Sequence, residues 1–232
     1  MIGDGIDLGH WRDELARRSR VQIPGWLAGS TADTLHDCLD GLAFDLALRT
    51  AEGARTVHAP ELAAGGPAGE AALLAEAQRF ACADYAFAYD AWHMVSAYKS
   101  GREPGLPLHG LLEFLNSPEY IAFVRALTDE PRIRRASAQA TRYRPGQFLK
   151  YHTDIDSREG RLYAYVINLT RDWQADWGGL LQFIDASGAV VDTFLPRYNA
   201  LSLFRVPQGH AVSLVAPWAR TPRLSITGWF MA

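Results

Sequence analysis

YHTDIDSREG (residues 151–160) closes an apolar run, FLKYH, and decides how the second half of the chain is read. Side chains alternate along a strand, so positions i and i+2 share a face. On that register His152 and Asp154 point the same way, together with Lys150. A His-x-Asp pair arises often by chance and carries little alone. His210 gives it weight: it follows LFRVPQG, an apolar run stopped by Pro207 and Gly209. Two imidazoles and one carboxylate form the donor set that holds a non-haem ferrous ion on one face and leaves positions open. A closed structural zinc site wants four ligands, often thiolates, and no cysteine lies near either half. Asp156 and His109 are the rival ligands. Asp156 has the parity of Asp154, but the strand ends near it. His109 sits in a Pro/Gly-rich stretch and reads as structural.

Outward from this motif the chain after Pro131 is a series of short β-rich runs: 133–143, 147–154, 162–169, 180–184, 189–195, 200–206, 211–215 and 223–230. Gly, Pro, Asp or Asn punctuate most of the gaps, the pattern of a sandwich or barrel. Before Pro131 the chain reads as mainly helical. Leu35, Leu39, Leu42 and Leu46 keep helical spacing behind an N-cap at Ser30. Residues 70–84 form a second helix, and Ser117-Pro118-Glu119 starts a third. FDLALRT reads as helix or strand, AFAYDAWHMVSAY is ambiguous, and 52–70 reads as a loop. The expected fold is mainly β with supporting helices: one catalytic domain over 1–232, with 1–130 as helical support and 131–232 as the β core carrying the site.

Composition narrows the function. The net charge of −3 speaks against a nucleic-acid surface. No apolar stretch resembles a signal peptide or a membrane span, so a cytoplasmic protein is expected. Cys38 and Cys82 read as reduced, buried thiols. Arg132, Arg134, Arg135, Arg142 and Arg144 cluster ahead of the motif. They are either a solvated strand face or a rim that attracts an acidic or extended partner.

RLSITGWF (223–230) places Arg223, Ser225, Thr227 and Trp229 on one face and Leu224, Ile226 and Phe230 on the other. The second is a core face. If the first lines the barrel, Arg223 needs an anionic partner, because an unpaired buried charge is costly. A dicarboxylate supplies one, gripped bidentately by Arg223 with a hydrogen bond from Ser225.

YRPGQFLKYHTD, NLTRDW, WGGLLQF, PRYNALSLFRVPQGH and RLSITGWF occur in this order. Together they resemble the prolyl-hydroxylase-like branch of the 2-oxoglutarate/Fe(II) dioxygenases, nearest to the group containing eukaryotic ribosomal-protein prolyl hydroxylases. The likeness covers about 133–231 and weakens in the N-terminal helices. Eukaryotic members carry a second, degenerate barrel, for which this chain is too short. The resemblance implies a double-stranded β-helix, a cupin-like jelly roll. It implies His152, Asp154 and His210 as iron ligands and Arg223 as the 2-oxoglutarate anchor. Tyr143 matches a tyrosine bordering the co-substrate pocket. Asn168 stands where relatives often have a tyrosine bonded to 2-oxoglutarate. Trp229 matches a tryptophan near the site, and Tyr163 joins it as a substrate-lining aromatic. Lys150 is the competing anchor, but family lysines of that role follow the last histidine.

The function so implied is Fe(II)- and 2-oxoglutarate-dependent hydroxylation of a prolyl residue in a protein or peptide. Dioxygen is consumed, 2-oxoglutarate is decarboxylated to succinate, and ascorbate serves as an accessory reductant. A substrate in the translation machinery fits the nearest group, with no membrane or direct nucleic-acid contact. The polar segment IDSREGR (155–161) is expected to be a mobile loop over a peptide groove. Two rivals remain: hydroxylation of a free amino acid or other small metabolite, and a non-catalytic jelly-roll binding module.

Overall fold

The computed structural model describes residues 1–156 and 158–232. Ser157, inside the segment expected to be a mobile loop, lies outside the described residues. Among the described residues six α-helices, a short 3-10 helix (Ala175–Trp177) and thirteen strands follow one another: α1 Leu8–Arg18, β1 Arg20–Pro24, α2 Gly29–Asp40, β2 Asp45–Thr50, β3 Gly53–Val57, α3 Ala59–Ala81, β4 Phe87–Trp92, α4 Met94–Ser100, α5 Pro107–Leu115, α6 Pro118–Thr128, β5 Arg135–Ala136, β6 Gln139–Tyr143, β7 Phe148–His152, β8 Arg161–Asn168, β9 Leu181–Ile184, β10 Val190–Phe194, β11 Ala200–Arg205, β12 His210–Val212 and β13 Arg223–Met231. Among the described residues no helix is long and apolar enough to cross a membrane.

The strands pair antiparallel along the path β1-β11-β8-β13-β6-β4-β7-β12-β9-β10. β2 and β3 extend sideways from β4, and β5 rests on β13. This is the double-stranded β-helix expected from the strand series. β4 is the fold line, because it pairs with β6 through Asp90–Trp92 and with β7 through Phe87 and Ala88. The two ends of the path meet through side chains, not a ladder. Arg20 of β1 donates to Asp192 of β10 at 2.8 Å, and Gln22 Nε2 donates to the Leu195 carbonyl at 2.8 Å. The barrel is nearly closed.

Alternation sorts β13 as its sequence demands. Leu224, Ile226 and Phe230 enter the large core beneath α1, α2, α5 and α6, beside Leu35, Leu111, Val124 and Ile167. The opposite face looks into the barrel. Gly228 has no side chain because a Cβ there would stand 1.9 Å from the Ser137 carbonyl oxygen. Ser117 caps α6 as expected, its hydroxyl accepting from Tyr120 N at 3.2 Å, with Pro118 opening the helix.

The N-terminal half departs from the expectation. It is not uniformly helical: FDLALRT is β2, and β3 and the first turns of α3 replace the expected loop at 52–70. Gly66, at φ 61°, kinks α3 and lets its alanine-rich first part reach back over β2. Alanine favours helix, and that offsets the Gly and Pro that suggested a loop. α2 starts at Gly29, and its N-cap is Ala28, not Ser30. Both cysteines are free, but neither is buried: Cys38 is half-buried and Cys82 is exposed at the end of α3. Of the arginine cluster, Arg142 and Arg144 turn inward. They donate to the fully buried carboxylate of Asp90, at 2.7 and 2.6 Å, with Gln147 adding a third donor at 2.7 Å.

Candidate active site

β7 does not keep strict alternation. His152 faces His210 and Leu149 faces Val212, so three residues of β7 span two steps of β12, and the difference is a β-bulge. The bulge turns Lys150 away from His152. The Lys150 ammonium donates to the carbonyls of Ala81 and Asp84, at 2.6 and 2.7 Å, and so ties β7 to the end of α3. The same residue's carbonyl accepts from His152 Nδ1 at 2.9 Å, which directs His152 Nε2 into the barrel. Asp154 arrives by another route than alternation. It lies beyond the end of β7 with φ at 60°, a left-handed conformation that aspartate tolerates better than most residues. His210 opens β12, and its Nδ1 donates to the Gln208 carbonyl at 2.8 Å.

These three side chains converge. His152 Nε2 is 3.4 Å from Asp154 Oδ1, and His210 Nε2 is 3.4 Å from Asp154 Oδ2. One donor atom from each lies within 4.8 Å of the others, the spacing of a metal site. The rivals are elsewhere. Asp156 accepts from the backbone N–H groups of Arg158 and Glu159, and His109 is buried in α5 against the Arg102 carbonyl at 3.0 Å. Burial, assisted by the charge of His152, pushes the His210 pKa down to about 4, so the ring is a neutral donor at pH 7. Burial raises the pKa of Asp154, but a hydrogen bond from His152 and the nearby imidazoles outweigh it, and the carboxyl stays below its usual range. A neutral His210 imidazole and an ionised Asp154 carboxylate are protonation states that suit a divalent ion.

The cavity behind the triad is about 380 Å³. Arg223 forms its charged floor, only 2 % exposed, with no hydrogen-bond partner for Nε or Nη1. Its guanidinium carbon sits 5.1 Å from the centroid of the Tyr143 ring. Burial lowers the Arg223 pKa from its ordinary value, with the Tyr143 ring opposing. A buried guanidinium with orphaned donors is stable only if an anion completes it. Three metal donors at one end and an unsatisfied cation at the other fit a metal-chelating dicarboxylate between them. Beside Arg223, the Ser225 and Thr141 hydroxyls share a 2.8 Å hydrogen bond.

Not every expected residue comes to this cavity. Asn168 is buried among strands, and its amide donates to the carbonyls of Val166 and Ala200 and to Ser202 Oγ. Tyr163 packs in the helix-side core and donates to the Thr128 carbonyl at 3.3 Å. Neither lines the pocket, nor does the expected Ser225, which is fully buried, whereas Tyr143 and Trp229 do. Among the lining residues that escaped the sequence reading are Tyr85, Tyr89, Gln139, Thr141 and Arg161. The period-2 aromatics of YAFAYDAW were the legible signal for the first two. Arg161 opens β8 and lies flat on Trp229, its guanidinium carbon 3.7 Å from the ring centroid. It also comes within 3.9 Å of Asp154 Oδ1.

Comparisons with known proteins agree with this geometry. Residues 138–231 match the family described as the 2OG-Fe(II) oxygenase superfamily. Prolyl 3-hydroxylase OGFOD1 of Mus musculus is 31% identical over 139 residues, which cover 57% of this chain and 24% of that protein. The chain thus spans about a quarter of that curated relative. Among solved structures, a 2OG-Fe(II) oxygenase family oxidoreductase from Burkholderia pseudomallei superposes with a TM-score of 0.65 at 14% identity, covering 100% of this chain and 93% of the other. A prolyl hydroxylase from Trichoplax adhaerens, in complex with a hypoxia inducible factor peptide fragment, gives 0.61 at 17% identity, covering 97% and 88%. At such identities these superpositions establish the fold. Over residues 138–231 the chain is therefore similar in sequence to the 2OG-Fe(II) oxygenase superfamily.

Proposed function

We propose that this chain is a 2-oxoglutarate- and Fe(II)-dependent dioxygenase that hydroxylates a prolyl residue in a protein or peptide. The observation that carries the reading is the pairing, in one cavity, of the His152–Asp154–His210 donor set with the unsatisfied guanidinium of Arg223. When bound, the ferrous ion and 2-oxoglutarate supply the oxidising chemistry, with dioxygen consumed and succinate and carbon dioxide released.

The chain's own residues do the rest. His152 and His210 present Nε2 because each Nδ1 is committed to a backbone carbonyl, which fixes tautomer and ring orientation. Asp154 supplies the carboxylate donor. Arg223 takes the remote carboxylate of 2-oxoglutarate, with the Thr141 hydroxyl, itself bonded to Ser225, placed to add a contact, and Tyr143 walls the pocket. Trp229 and Arg161 form the side of the cavity nearest Asp154, a flat surface against which a pyrrolidine ring packs. Residues 1–130 and 131–232 act as one catalytic unit. Prolyl substrate rests on the named relatives, and a partner in the translation machinery, a cytoplasmic site of action and ascorbate as accessory reductant follow the same likeness.

The test is to incubate the iron-loaded protein with 2-oxoglutarate and cytoplasmic extract and search by mass spectrometry for added oxygen. Oxidised protein-bound proline that disappears in Asp154→Ala supports the reading. Succinate formation stimulated by free amino acids, with no protein-bound proline modified, replaces it with the small-metabolite hydroxylase.

A further inference from the structure

The inner face of the main sheet carries a second arginine with a buried, unpartnered donor, the Nε of the half-buried Arg49. On β2, Leu46 and Leu48 pack under α3 with Ala88 of β4, so they face outward. Ala47 lies opposite Tyr89 and Leu48 opposite Ala88. Alternation therefore puts Arg49 on the face of Ala47 and Tyr89, the face that looks into the barrel. Its Nε is buried without a hydrogen-bond partner, and no carboxylate of the described residues forms an ion pair with it. The guanidinium carbon stands 5.8 Å from the centroid of the Tyr85 ring, and that ring is 5.9 Å from the ring of His152. Tyr85 and Tyr89 line the triad cavity.

Apart from Arg223, the other cations nearby are engaged. Arg161 pairs with Glu159 at 2.7 Å, Lys150 is held by two carbonyls, and Arg142 and Arg144 are held by Asp90. Arg49 alone among these lacks a compensating group, in a chain whose net charge is −3. Arg49 does not itself line the cavity but packs on Tyr85, which does, and a half-buried guanidinium there with a donor unused can be completed by an anion brought from outside.

We infer that Arg49, seated on Tyr85, is the docking point for a carboxylate of the substrate, separate from the 2-oxoglutarate anchor at Arg223. This rests on the hydroxylase reading and deepens it, because it requires the substrate to carry negative charge near the reacting residue. Each of the two steps, guanidinium to Tyr85 and Tyr85 to His152, is shorter than two residues of extended chain at about 3.3 Å per residue. In a polypeptide the carboxylate is then an acidic side chain, or a chain terminus, within about four residues of the target. In a free amino acid it is the α-carboxylate.

The experiment uses synthetic nine-residue peptides with one central proline, each carrying a single glutamate at one flanking position. Matched glutamine peptides and free L-proline serve as controls. Binding is measured with the full chain loaded with Mn(II) and 2-oxoglutarate under anaerobic conditions. At one flanking position glutamate should bind about tenfold tighter than glutamine, the factor expected of one charge-assisted hydrogen bond. Arg49→Gln should erase that preference, and Arg49→Lys should keep most of it. In Arg49→Glu a lysine at the same position should become the preferred residue. Loss of L-proline binding in Arg49→Gln, with no peptide bound by the wild type, assigns the same contact to an α-carboxylate. Glutamate bound no better than glutamine at every position, with L-proline indifferent to Arg49, overturns the inference. So does a glutamate preference that survives in Arg49→Gln. The affinity for 2-oxoglutarate, read separately through Arg223→Ala, reports on the hydroxylase reading and does not depend on Arg49.

Discussion

At the scale of single residues, one arginine and one lysine separate binding from support. Arg223 has orphaned donors inside the cavity, so Arg223→Ala should raise the 2-oxoglutarate requirement by about one to two decades, while iron affinity changes little. Lys150 is spent on the end of α3, so Lys150→Ala should lower stability and leave that requirement near wild type. The reverse ranking in 2-oxoglutarate titrations would transfer the anchor to Lys150. Replacing His210 with alanine should cost more metal affinity than the roughly 10–100-fold typical of losing a residue that merely supports a ligand. Mn(II) titration by calorimetry reads this directly, and near-normal affinity would remove His210 from the site. Glu130 shows the opposite use of charge, away from the cavity. Hydrogen bonds from the Arg132 side chain lower its pKa to about 2 from an ordinary 4.5. A depressed carboxylate stabilises the fold above its unfolded pKa, and that contribution disappears as pH falls through the folded value. The stability gap between wild type and Glu130→Gln should therefore be constant near neutrality and shrink steadily in denaturation series below about pH 4.5. A gap that widens in acid would contradict the assignment.

At the scale of elements, β7 shows both how far the sequence reaches and where it stops. The strands after Pro131 fall within a few residues of their expected places, because alternation and turn residues are local properties of the chain. Pairing is not local. The bulge opposite His210–Val212 is set by β12 and moves Lys150 to the other face, which strict alternation misses. The left-handed Asp154 is likewise legible as a ligand type but not as a conformation. Asn168 and Tyr163 failed for the same reason. They sit on strands of the right barrel, but pairing with β11 and packing against α6 bury them away from the cavity. β13 succeeded because both its faces are strongly marked in sequence, and Gly228 marks where its backbone meets Ser137. Gly228→Ala must displace that carbonyl, so it should destabilise by about 2–4 kcal/mol and lower Tm by several degrees. A Tm within a degree of wild type would mean that the Ser137 segment yields freely.

At the scale of the whole molecule, the β core expected at 131–232 does not own its hydrophobic interior. The outer face of the main sheet, with Ile167, Leu201, Leu224, Ile226 and Phe230, is buried by side chains from α1, α2, α5 and α6. The ladder itself crosses the seam: β1 pairs with β11, and β4 joins β6 to β7. The N-terminal half is therefore part of the barrel, and β4 also delivers Tyr89 to the cavity. The barrel's last opening is closed by Arg18 and Arg20 on Asp192, again one partner from each half. A fragment of residues 131–232 would expose that whole apolar face and lose the strand on which the two layers fold. Its apolar burial falls while each remaining ordered residue still costs roughly 1–2 kcal/mol of backbone entropy. The fragment should show no cooperative thermal transition and little amide dispersion in NMR spectra. Adding residues 1–130 as a separate chain should restore both, because the missing strands and helices need only dock, not be covalently joined. A fragment that folds alone and binds Mn(II) would show that the N-terminal half is an accessory layer after all.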